Sequence, residues 1–145
     1  MGLHQAMSAA AAPRIVRIVA GMIRNDQGRV LLVRKRGAEV FQQPGGKRDA
    51  GDQDDLHTLA RELKEELGCT MQRDGAQLLG CFSASAANEP GCVVEAIVYE
   101  VRASGPFTAC AEIEALQWVD PAQPGDLPIA QLSREQLLPL MIPKP

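Results

Sequence analysis

The sequence predicts an α/β protein in which helices pack on the faces of a mixed β-sheet. Three observations carry that expectation: β-branched runs recur between turn residues, one long segment repeats its apolar residues at helical spacing, and strand runs mix with two helices rather than alternating strictly with them. At 145 residues, with 46% hydrophobic residues and a net charge of -3, the chain fits one domain with a buried core and excludes a disordered polymer.

The elements follow in order. Met1 to Pro13 is Ala-rich, has no apolar period and reads as a mobile leader, which leaves 14–145 as a single domain. From Ile15 the run I-V-R-I-V-A-G-M-I-R is strand-like, Asn25 to Gly28 is turn chemistry, and R-V-L-L-V-R-K-R follows, so a hairpin is expected. Residues 37–53 hold four glycines, a proline and no lasting period, which reads as a loop. Leu56, Leu59, Ala60, Leu63 and Leu67 then recur at helical spacing, with Asp54 or a neighbouring aspartate as cap and Gly68 able to take the left-handed turn at the end. Gln77 to Ser83 and Cys92 to Arg102 read as strands around N-E-P-G, and Ala115 to Asp120 as a shorter one. After the Pro/Gly-rich link Pro121 to Pro128, Ser133 with Gln136 has the form of a capping box for a short helix that Pro139 soon ends.

Charge is uneven along this layout. Residues 1–48 carry nine bases and two acids, residues 49–66 seven acids and two bases, and the remainder four bases and nine acids. A mildly acidic total argues against nucleic acid as the partner. No run approaches the ~18 apolar residues of a membrane span, and Met1 to Ala12 lacks the layout of a secretion signal, so a cytoplasmic protein with no membrane partner is expected. Cys69, Cys81, Cys92 and Cys110 form no C-x-x-C pair, and His4 and His57 are the only histidines, which turns attention to carboxylates.

The carboxylates concentrate on the helix. At ~100° per residue, Glu62, Glu65 and Glu66 share one stripe beside the leucine face. Like charges at these spacings cost roughly 0.2 to 0.5 kcal/mol per pair, a cost that a cation among them relieves. Mg2+ or Mn2+ suits an all-oxygen donor set that is shared with substrate phosphates. Upstream, Pro44-Gly45-Gly46-Lys47 lets backbone approach an ion or phosphate closely and sets a lysine beside the acidic stripe.

Loop and helix together resemble the Nudix (MutT-like) hydrolase family, whose signature is G-x5-E-x7-R-E-U-x-E-E-x-G-U with U a bulky aliphatic residue. Gly46 matches the opening glycine, Arg61-Glu62-Leu63 the R-E-U element, Glu65-Glu66 the glutamate pair and Gly68 the closing glycine. Counting forward from Gly46 puts Asp52 where the signature has its first glutamate, with one residue too many before Arg61; counting back from Arg61 reaches Gln53. Cys69 stands at the final aliphatic position.

The resemblance implies an α/β/α sandwich with a mixed central sheet, and divalent-metal-dependent hydrolysis of the diphosphate linkage of a nucleoside diphosphate joined to another group, such as a nucleoside triphosphate. It implies that Glu62, Glu65 and Glu66 hold the metal with a carbonyl of Gly45 or Gly46, and that Arg61 orients the glutamates. Glu62 and Glu112 are then candidates for the general base, Glu66 belongs to the catalytic set, and Arg34, Arg36 and Lys47 are candidates for the phosphates. Strand alternation puts Arg34 and Arg36 on one face and Lys35 on the other. The expected partner is a small nucleotide, with a homodimer left open. The altered first glutamate motivates an alternative, a nucleotide-sensing module without catalysis. An isoprenoid diphosphate isomerase would need catalytic cysteine chemistry that Cys69, at a helix end, is badly placed to supply.

Overall fold

The computed structural model describes residues 12–86 and 90–143. The expected leader therefore lies, apart from Ala12 and Pro13, outside the described residues, as does part of the N-E-P-G turn. Six strands and one long helix follow: β1 (Arg14–Ile23), β2 (Val30–Lys35), β3 (Gly45–Gly46), α1 (Asp55–Leu67), β4 (Thr70–Ser85), β5 (Cys92–Ser104) and β6 (Ile113–Val119). A π-type turn at Ser133–Leu137 and a 3-10 turn at Leu138–Met141 complete the described chain.

The main sheet has the order β3-β1-β5-β4, and β2 pairs with β6 in a second, two-stranded sheet. β1 runs parallel to β5 and antiparallel to β3, so the sheet is mixed as expected. Side-chain alternation along the strands divides the interior into two cores. Val19 and Ile23 of β1 with Leu31 and Val33 of β2 face Leu59, Leu63 and Leu67 of α1. Ala20 and Met22 with Val30 and Leu32 face Leu132, Leu137, Leu138 and Met141 on the other side. Helical layers on both faces of the strands make an α/β/α sandwich.

The hairpin is the main departure from expectation. Its turn forms, with the Gln27 and Arg29 N–H groups donating to Asn25 Oδ1 at 3.0 and 2.9 Å, but only the single bridge Arg24 to Val30 joins the two arms. Beyond it, β1 has both edges taken by β3 and β5, and β2 pairs with β6, so the arms part into different sheets. The buried run Val30 to Val33 is apolar on both faces, the pattern of a strand covered on both sides rather than of an edge hairpin.

The capping box also fails. Leu132 stands at the cap position with no side-chain cap, the Ser133 hydroxyl turns inward to Gln43 Oε1, and Gln136 Nε2 donates to the Ser83 carbonyl at 2.8 Å. Pro139 does not end the segment, because it enters the first turn of the 3-10 stretch, where its missing N–H has no partner to lose. Helix α1 forms as expected: Asp54 Oδ1 accepts from the His57 N–H at 2.8 Å, and Gly68 at φ 69° returns its N–H to the Lys64 carbonyl at 3.0 Å.

Leu63 is fully buried between α1 and the strands. Leu63→Ala is expected to lower the unfolding free energy by about 2–5 kcal/mol, read from the denaturant midpoint at constant m.

Candidate active site

The site begins with two glycines, of which Gly45 leaves no room for a side chain and Gly46 leaves none without moving Glu62. β3 lies so close to β1 that a Cβ on Gly45, at φ 147°, would stand 2.1 Å from the Val19 carbonyl oxygen. A Cβ on Gly46 would stand 2.5 Å from the Glu62 carboxyl group. Glycine therefore brings backbone against the carboxylates of α1, and the Gly45 N–H donates to Glu66 Oε1 at 3.2 Å.

Glu66 is buried, with 3% of its surface exposed. Desolvation pushes its carboxyl pKa up to about 8; the Gly45 hydrogen bond pulls the other way, and the negative charges of Glu62 and Glu112 add to the rise while Lys35 opposes it. Glu62, one turn earlier, is also raised, first by desolvation and then by Glu65 against the opposing pull of Arg61. Glu65 is more than half exposed and lies 3.6 Å from Arg61. Among the described residues, no three acidic, histidine or cysteine side chains converge on one point.

Arg61 is fixed by Asp52. Its Nε and NH2 donate to the two Asp52 oxygens at 3.2 and 2.8 Å, and NH2 also reaches the Lys47 carbonyl at 3.2 Å. Asp52 accepts further bonds from the Thr58 hydroxyl and the Asp49 N–H, both at 2.8 Å, and its side chain is only 3% exposed. The Arg61 guanidinium, followed by the Asp49 N–H, holds the Asp52 carboxyl well below the usual carboxylate range, and Asp52 raises the Arg61 pKa in return. Arg61 NH1 then lies 3.3 Å from Glu62. The loop before α1 closes in a turn at 49–52, where the Asp52 N–H donates to the Asp49 carbonyl at 3.0 Å.

A cleft of about 570 Å³ opens beside Glu62, Glu66, Gly45 and Gly46, and Lys35, Arg36 and Lys47 line it with Glu112. Glu112 reaches it because the segment before β6 is stitched to the end of α1. Thr108 and Cys110 N–H groups donate to the Leu67 and Glu66 carbonyls at 2.9 Å, and the Arg36 N–H donates to the Glu112 carbonyl at 2.7 Å.

Most of the expected residues meet here, with three exceptions. Arg34 lies outside the cleft lining: it pairs with Glu114 at 2.9 Å and its guanidinium sits 5.7 Å over the Phe41 ring. Glu65 and Arg61 are also outside it, Arg61 touching Glu62 and the loop from behind. Lys35, which alternation set on the opposite face from Arg36, lines the cleft and pairs with Glu112 at 3.6 Å. β2 ends at Lys35 and Arg36 already lies in the turn beyond it, so the strand alternation that set the two apart stops before Arg36; opposite Lys35 the pairing with β6 also skips Glu114. Gln43 and Ser133, which also line the cleft, were missed by the sequence reading, and the nearness of Gln43 to Gly45 was the one local signal that could have pointed to it.

A glycine strand pressed against a glutamate-bearing helix, beside a cleft lined by acidic and basic side chains together, defines an α/β protein with one densely charged site. The NUDIX domain model matches residues 14–141, and the chain belongs to the NUDIX family. An 8-oxo-dGTP diphosphatase of Haemophilus influenzae is 41% identical over 59 residues, a match covering 38% of this chain and 43% of that relative, so less than half of its length is spanned. The MutT NUDIX hydrolase of Burkholderia pseudomallei superposes with a TM-score of 0.70 at 28% identity, over 86% of this chain and 96% of the other. The E. coli ORF135 protein gives 0.66 at 26% identity, over 89% and 90%. Among the described residues no helix is long and apolar enough to cross a membrane.

Raised carboxyl values carry a sign for the metal-free protein. A group lifted from 4.5 to about 8 supports the fold below pH 4.5 and loses that support as pH rises through 8. Between pH 5 and about 8.5 the melting temperature of metal-free Glu66→Gln is therefore expected to fall less than that of the unsubstituted chain, as measured by thermal melts in chelator, because the amide keeps the Gly45 bond without the buried charge.

Proposed function

We propose that the protein hydrolyses the diphosphate linkage of nucleoside triphosphates or related nucleotides in a reaction that requires Mg2+ or Mn2+. The observation that carries this reading is the buried Glu66 carboxyl, held by the Gly45 N–H beside Glu62 in a cleft lined with three basic side chains. Two desolvated carboxylates one turn apart are a costly arrangement that a divalent cation compensates, and their oxygens with the nearby glycine carbonyls are hard donors of the right kind. Glu62 and Glu66 would hold the ion with Gly45 or Gly46, and Glu65 would join by turning from Arg61. A bound divalent cation would supply neutralisation of the phosphate oxygens and a more acidic attacking water.

The remaining work falls to the chain. Lys35, Arg36 and Lys47 bind the phosphate oxygens and align the diphosphate over the glycine strand. Glu112, in the cleft with its carboxylate 3.6 Å from Lys35, is the better-situated acceptor for the proton of the attacking water, since Glu62 is committed to the ion. Arg61, locked by Asp52, holds the Glu62 carboxylate at a fixed angle. The Asp52 to Arg61 pair, in place of the signature's first glutamate, supports the catalytic reading over a purely sensing module. On this reading the work is done by a single domain over 14–145.

The test is release of pyrophosphate or phosphate from nucleoside triphosphates with Mg2+ or Mn2+. Turnover is expected to vanish in chelator and to fall on the order of a hundredfold or more in Glu62→Gln and Glu66→Gln. Added Mg2+ should also raise the melting temperature of the unsubstituted chain at pH 8 more than that of Glu66→Gln. Folded protein without turnover on any nucleotide would overturn the proposal. Asp52→Asn should lower kcat by about 10- to 100-fold while KM moves little, as measured in steady state, because it loosens Arg61 rather than a substrate contact.

A further inference from the structure

One buried polar atom in the cleft has no partner. Gln43 is 6% exposed, the Ser133 hydroxyl donates to its Oε1, and its Nε2 is, among the described residues, the one buried side-chain nitrogen or oxygen without a hydrogen bond. Such an amide is costly to leave unpaired in a folded chain, and its usual explanation is a missing partner.

The position says what kind of partner. The cleft is charged at the end formed by Gly45, Glu62 and Lys35, and aliphatic where Val16, Ile18 and Leu137 line it, with Gln43 and Ser133 among the few polar groups there. Gln43 stands two positions before Gly45, at most ~7 Å of extended chain, so a ligand with its diphosphate on the glycine strand and a short linker reaches Gln43 with its next group. In a nucleotide that group is the base, flat, uncharged and edged with hydrogen-bonding atoms, and it suits an apolar slot with a few fixed polar groups.

We infer that Gln43, oriented by Ser133, reads the base and selects an oxo group over an amino group at purine C6 or pyrimidine C4. This rests on the nucleotide hydrolase reading above. Because the carbonyl end of the amide is engaged by Ser133, the open end is the NH2, which can only donate. An oxo base presents an acceptor to it, whereas an amino base presents N–H to N–H and leaves both unpaired. Selectivity of this kind comes from the group left unsatisfied with the wrong substrate.

The experiment uses the full chain with Mg2+ and two matched pairs, dITP against dATP and dUTP against dCTP. The unsubstituted protein is expected to show kcat/KM roughly ten- to a hundredfold higher for the oxo member of at least the pair whose ring size the slot accepts. Gln43→Met should bring that ratio to within about threefold of unity, and Gln43→Glu, of equal size but with only acceptors, should invert it. Ser133→Ala frees the carbonyl end and should narrow the ratio through a gain on the amino member, which a merely structural role would not produce. Turnover with no oxo preference, or a preference that survives both Gln43 variants in folded protein, overturns the inference and leaves the hydrolase reading standing. Absence of turnover on all four nucleotides overturns both.

Discussion

The site depends on how closely two pieces of backbone approach one helix. Gly45 and Gly46 form a two-residue strand against β1, and the space a side chain would need is already taken by the Val19 carbonyl on one side and the Glu62 carboxyl on the other. That contact lets a main-chain N–H reach Glu66 in the interior, and it forms one wall of the cleft. The leucine face of α1 holds the helix against the sheet, so the acidic stripe has one direction left in which to point. Core packing and site geometry are therefore the same constraint seen from opposite sides of α1.

Around this wall a second layer sets angles. Asp52, its side chain covered and bonded to Arg61, Thr58 and the Asp49 N–H, ties the start of α1 to the loop that precedes it. Arg61 then touches Glu62, Glu65 and the Lys47 carbonyl, so one guanidinium joins loop, helix and acidic stripe. An ion pair with this many fixed partners works as a brace, and its geometry matters more than its net free energy.

What could be read from the chain, and what could not, divides along local and non-local lines. The helix, its cap at Asp54 and its end at Gly68 were legible because leucine spacing, an aspartate cap and a left-handed glycine act within a few residues. Glu62 and Glu66 followed from the same helical period. The hairpin misled because the sequence shows that two runs are strands but not which edges they offer, and those edges belong to β3, β5 and β6, far away in the chain. Lys35 was set apart from Arg36 by an alternation that ends with β2 at Lys35 itself, and Ser133 looked like a cap because its true partner, Gln43, is 90 residues distant.

β4 closes the sheet on its outer side with 16 residues, and its pairing with β5 slips between Gln72 and Gln77 and again between Leu78 and Gly80. A straight strand of that length with a bare side would be a template on which other chains could stack without limit. The slips, with Gly75 and Gly80 at positive φ, interrupt the even ladder of N–H and C=O groups such stacking needs. The outer strand is thus protected against runaway self-association by its irregularity, even though Leu78 stands exposed upon it.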